Sequence, residues 1–147
     1  MRIAILNGPN LNLLGTREPA LYGYATLAEI EQRLREVAEE LAIEVVCEQH
    51  NGEGELIDAV HRLSESCDAA VVNAGAYTHT SLALRDALAG VALPFVEVHL
   101  TNVYAREPER RHSMLAPAAR ATLGGFGPIG YELALRGIVA TLVPESG

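Results

Sequence analysis

Apolar residues along the 147-residue chain recur with two alternating patterns. Short, nearly continuous apolar runs bounded by turn residues predict buried strands at Arg2–Asn7, Ile43–Gln49, Asp68–Asn73 and Pro94–Leu100, with a weaker one at Ala121–Phe126. Between them, apolar positions return every three or four residues, the spacing of a helix with one buried face. Thr26–Leu41 carries Leu27, Ile30, Leu34, Val37 and Leu41 in this way, and Thr26 with Glu29 matches a capping box. Glu53–Ser64 does so with Leu56, Ile57, Val60 and Leu63. Ser81–Ala89 and Pro128–Val143 complete the set, the last with proline at its first turn. Strands alternating with helices predict an α/β fold, a five-stranded parallel sheet covered on both faces. The expected architecture is a flavodoxin-like three-layer sandwich with strand order 2-1-3-4-5. No linker or repeat divides the chain, so residues 1–147 are expected to form one domain.

Two long connections interrupt this rhythm. One is Leu6–Tyr24, "LNGPNLNLLGTREPALYGY", and the other is Thr101–Ala118, rich in Arg and Pro. Long connections without periodicity are usually functional or disordered. Open α/β sheets bind ligands beyond the carboxyl ends of their strands, where strand order reverses. That point falls between the first and third strands, with the fourth nearby. Asn10, Asn12, Arg17 and Tyr22 follow the first strand; Asn73, Tyr77, Thr78 and His79 follow the third. Glu97, His99 and Thr101 end the fourth, with Arg106, Arg110 and Arg111 beyond.

Composition narrows the chemistry. A net charge of −8 supplies no basic face for nucleic acid. No apolar run is long enough to span a bilayer, and the first residues enter a strand pattern without a signal-peptide layout, so a cytoplasmic location is expected. Cys47 and Cys67 read as small buried hydrophobes, not as a zinc site. All eleven basic residues are arginine, so no lysine imine can form on this chain. Gly125, Gly127 and Gly130 match G-x-G-x-x-G, but no further strand completes a dinucleotide-binding unit; a tight turn and close helix–sheet packing explain them. Neither H-E-x-x-H nor G-x-S-x-G occurs, and the first and third strands end in asparagine, where a phosphoacceptor needs aspartate.

The stretches "LNGPNLNLLGTREPALYG", "QHNGEGELID", "NAGAYTHTSLALRDAL", "EVHLTNVYAREPERRHS" and "GFGPIGYELALR" resemble type II 3-dehydroquinate dehydratase, in order, from about residue 3 to 140. Thr101 stands where serine is usual, Ala74 where proline is frequent, Tyr104 where histidine is frequent, and Glu109 where an apolar residue is usual. The resemblance implies one catalytic domain that removes water from 3-dehydroquinate by anti elimination through an enolate, without metal or other cofactor. It also implies trimers packed into a dodecamer.

In that reading Tyr22 is the base, His99 the acid, and Asn10 orients a water or stabilises the enolate oxygen, with an Asx turn compatible with either. A free phenol, with a pKa of about 10, is almost wholly protonated at neutral pH. A guanidinium about 4 Å away favours phenolate by roughly 4 kcal/mol at an effective dielectric near 20, and Arg17 is the expected source. Strand alternation sets Phe95, Glu97 and His99 on one face, so Glu97 is placed to hold the His99 ring. The resemblance assigns the backbone N–H groups of Leu100 and Thr101 to the substrate carboxylate, and Asn73, His79 and Arg110 to its hydroxyls. It places Asp86 against a neighbouring subunit's site. Arg106 is read as a support for the loop after the fourth strand, outside direct contact. The Leu6–Tyr24 segment is expected to close as a lid about Gly15 and Gly23. The rival function is a non-catalytic flavodoxin-like module binding a small anion or flavin.

Overall fold

A computed structural model describes residues 1–144. In chain order the elements are β1 (Arg2–Asn7), α1 (Pro19–Tyr22), α2 (Leu27–Leu41), β2 (Glu44–Gln49), α3 (Glu53–Ser64), β3 (Ala69–Asn73), α4 (Tyr77–Thr80), α5 (Leu82–Gly90), β4 (Phe95–His99), β5 (Ala121–Gly124) and α6 (Ile129–Leu142). The five strands form one parallel sheet in the order β2-β1-β3-β4-β5, the expected flavodoxin-like order. Successive residues of the central strands feed opposite layers. Ile3, Ile5, Val71, Val96 and Val98 pack beneath α2 and α6; Ala4, Leu6, Ala70, Val72 and Phe95 pack beneath α3 and α5.

Helix starts follow their side-chain chemistry. The Thr26 hydroxyl accepts from the Glu29 N–H at 3.2 Å, the forward half of the expected capping box. Ser81 caps α5 in the same way through Leu84. The glycine stretch after β5 is a turn: Gly125 and Gly127 have positive φ, and a Cβ on Gly130 would already touch Val98 at 3.5 Å. Cys67 is buried, but Cys47 is only half-buried on edge strand β2, and desolvation pushes its thiol to about 11. Cys47 is thus a partial exception to the reading of both thiols as core residues.

The two long connections are not structureless. The first contains a 3-10 turn at Leu11–Leu13 and the short α1; the second contains 3-10 turns at Val103–Ala105, Pro108–Arg110 and Ala116–Ala118. Local hydrogen bonds hold these turns without producing an amphipathic period, so sequence patterning does not reveal them. Among the described residues, no helix is long and apolar enough to cross a membrane.

Candidate active site

At the carboxyl ends of β1, β3 and β4 the chain opens into a cavity lined by Asn10, Arg17, Tyr22, Asn73, His79, His99, Leu100, Thr101, Arg106 and Arg110, among others. Nine of the ten residues proposed from sequence therefore share one site. Asp86 is the exception: it is exposed on α5 and does not line the cavity of its own chain.

Tyr22 ends α1, which starts after Glu18 adopts a left-handed backbone conformation and Pro19 enters the first turn. Its phenol oxygen accepts from Arg106 Nη1 at 2.9 Å. The guanidiniums of Arg106 and Arg17 lie 5.4 and 5.5 Å from the ring centroid. Two cations thus surround the phenol, and the direct contact comes from Arg106. Arg17, the expected cation, does stand at the ring, but Arg106, expected outside direct contact, makes the hydrogen bond to the phenol oxygen. Arg106 is 84 residues away in sequence, so local reading offered no signal for the contact.

Asn10 takes a left-handed conformation and its side chain caps nothing, so the Asx turn does not form. Its amide is exposed at the cavity. The loop is buttressed from β2: the Asn10 N–H donates to Asn51 Oδ1 at 3.0 Å, and Gln49 Nε2 donates to the Gly8 carbonyl at 3.1 Å. That is the structural use of the "QHN" stretch. Gly15 and Gly23, the proposed hinges, both have positive φ.

His99 ends β4 and is nearly buried. Its Nε2 lies 3.0 Å from Glu97 Oε2, as strand alternation suggested, while Nδ1 has no hydrogen-bond partner among the described residues. Ser113 donates to the other carboxylate oxygen of Glu97. The His79 ring stacks on His99 with centroids 6.3 Å apart, and its Nδ1 bonds the His112 carbonyl at 2.8 Å. Burial, offset in part by that carbonyl, holds the His79 pKa below its ordinary value.

Asn73 is buried with part of its amide engaged: Nδ2 donates to the Tyr131 hydroxyl at 2.8 Å and Oδ1 accepts from the Gly75 N–H at 3.2 Å. The backbone N–H groups of Leu100 and Thr101 carry no hydrogen bond within the described chain. Arg110 is steadied by Glu107 at 2.6 Å, not by the adjacent Glu109. Among the described residues, no three of His, Cys, Asp and Glu gather as metal ligands.

Comparison with known proteins matches this arrangement to one group. The model of the family "Dehydroquinase class II" matches residues 1–139. The chain belongs to that family. It is 60% identical to a 3-dehydroquinate dehydratase of Gemmatimonas aurantiaca over 97% of this chain and 93% of the relative. Identity to the enzyme of the same name from Pelotomaculum thermopropionicum is 54%, over 95% and 97% of the two chains. The crystal structure of type II dehydroquinase from Butyrivibrio crossotus superposes with a TM-score of 0.92 at 40% identity, covering 95% of this chain and 97% of that one. Membership accounts for the long, chemically dense loops after β1 and β4, which the sheet itself does not require.

Proposed function

We propose that this chain, as one catalytic domain, dehydrates 3-dehydroquinate to 3-dehydroshikimate with Tyr22 as base and His99 as acid. The observation that carries the reading is a phenol gripped by a guanidinium and an imidazole held by a buried carboxylate, both lining one cavity. The Tyr22 oxygen takes a proton from the carbon beside the ketone. The C–H electron pair moves into the ring and onto the ketone oxygen, giving an enolate near Asn10. The enolate then collapses and the C–O bond to the tertiary hydroxyl breaks, its electron pair leaving on oxygen. The leaving oxygen takes the Nδ1 proton of a His99 ring that carries protons on both nitrogens, leaving the neutral Nε2–H ring on Glu97, and departs as water from the opposite face. Exchange of protons through solvent returns Tyr22 and His99 to their starting states.

The setting suits an anionic, hydroxyl-bearing substrate. Arg17, Arg106 and Arg110 make a local positive region in a chain of net charge −8. The free N–H groups at Leu100 and Thr101 fit a carboxylate. His79 stays neutral at pH 7 and, with Nδ1–H on the His112 carbonyl, turns an accepting Nε2 to a substrate hydroxyl. Asn73 and Arg110 complete the hydroxyl contacts. The Leu6–Tyr24 segment closes over the substrate about Gly15 and Gly23, bringing Arg17 with it.

Asp86 acts on a neighbouring subunit's site within trimers packed into a dodecamer. Exposed Leu82 beside it on α5, and exposed Phe126, Ile129 and Leu133, support self-association. Light scattering should report a dodecameric particle; a monomer of 15.7 kDa would leave Asp86 without this role.

The activity is tested by adding 3-dehydroquinate in the presence of EDTA and following ultraviolet absorbance. A rise from the conjugated enone is expected, and borohydride with substrate should not inactivate. A flat trace overturns the reading.

A further inference from the structure

We infer that Ser113 is a positioning residue for His99, acting through Glu97; the inference rests on the reading of His99 as the acid. Ser113 lies in the connection after β4, 16 residues beyond Glu97. Its Oγ accepts two backbone N–H groups, from Leu115 at 3.1 Å and Ala116 at 3.0 Å. A serine hydroxyl has two acceptor sites and one proton. With both acceptor sites filled, the proton is directed to one place, Glu97 Oε1. Glu97 is 3% exposed, and its remaining oxygen faces His99 Nε2. Each carboxylate oxygen therefore has its own partner, and the plane of the carboxylate is set. The ring is then held with Nε2 inward and Nδ1 left for the leaving oxygen.

The position of Ser113 is itself set from both sides. The carbonyl of His112 binds His79 Nδ1, and the N–H of Met114 donates to the Thr78 carbonyl at 2.7 Å. One short segment thus orients both stacked imidazoles. Orientation is needed here because the rings have room to move: a second cavity, lined by Glu97, Arg111, Ser113 and Thr122, shares His79 and His99 with the first. Without the serine hydroxyl, Glu97 Oε1 becomes a buried acceptor with no partner, and the carboxylate and ring are free to turn into that space.

The test uses Ser113→Ala and Ser113→Thr in the full chain. Ser113→Ala should lower kcat about tenfold to a hundredfold, a share of what a positioned acid supplies, with KM changed less than about twofold. Ser113→Thr, which keeps the hydroxyl, should restore most of kcat. In a His99→Ala background, Ser113→Ala should cost nothing more. Nitrogen NMR of labelled histidine, recorded at alkaline pH to observe the ring after it has given up its Nδ1 proton, should show His99 as a single Nε2–H tautomer in the unmodified protein and as a mixture in Ser113→Ala. That spectrum needs no substrate, so it stands even if the dehydratase reading fails. Unchanged kcat in Ser113→Ala, a full penalty persisting without His99, or an Nδ1–H tautomer in the unmodified protein overturns the inference. The last reading remains available if Ser113→Ala does not fold.

Discussion

Tyr22 shows what a single side chain owes to its surroundings. Its oxygen accepts a charged hydrogen bond from Arg106, while Arg17 stands over its ring. A negative oxygen formed there is met by two guanidinium groups. On the proposed role of Tyr22 as base, Tyr22→Phe should lower kcat by about a hundredfold to ten-thousandfold with the fold intact by circular dichroism. Hydrogen bonds to charged groups contribute about 1.5–3 kcal/mol, which is roughly tenfold to a hundredfold in rate. Arg106→Gln should show that loss in kcat, and at least as large a loss as Arg17→Ala. Steady-state kinetics on the two variants decide which arginine serves the phenol. The contact between His99 and Glu97 was legible from strand alternation, because the two are two residues apart on the same face. Arg106 and Ser113 were not, because their partners are brought near only by the loop after β4.

At the scale of elements, the site depends on how closely β1 and β3 approach at their carboxyl ends. The Gly8 N–H donates to the Asn73 carbonyl at 2.8 Å, and a Cβ on Gly8 would sit 2.3 Å from the Ala74 carbonyl oxygen. Backbone cannot yield there as a flexible side chain would. Gly8→Ala should therefore destabilise by about 3 kcal/mol or more and displace the Asn10 loop, read as a lower urea midpoint together with a fall in kcat. Element type and rough boundaries followed from periodicity, the parallel sheet followed from the alternation of strands and helices, and the strand order matched the flavodoxin-like arrangement expected of such a chain. The short helical turns within both long loops did not, because a three- or four-residue turn has no period to read. Tertiary contacts stabilise them: Tyr22 packs against the core and Met114 is tied to α4.

For the molecule as a whole, acid stability is set partly away from the site. Glu48 on β2 is bound through both oxygens by Arg62 on α3, at 2.6 and 2.9 Å, with His50 at 2.8 Å. The Arg62 contact is the main reason its carboxyl is pulled from 4.5 to about 2. Because the folded value lies below the unfolded one, the unfolded chain binds more protons between these pH values. The contribution is full above pH about 4.5 and is lost as pH falls through about 2. Urea midpoints taken at pH 6, 4 and 3 should fall more steeply for the unmodified protein than for Glu48→Gln. Equal slopes would show that this pair does not anchor β2 to α3.

The amino-acid sequence by itself determined the kinds of element, the parallel sheet and the region where polar chemistry collects. These depend on local sterics and on the burial of every second or every fourth side chain, which act over a few residues. Tertiary structure alone decided which guanidinium reaches the Tyr22 oxygen, and that a serine from a distant loop holds Glu97 behind His99. Such contacts join segments far apart along the chain, and their geometry exists only once the sheet has brought the loop ends together.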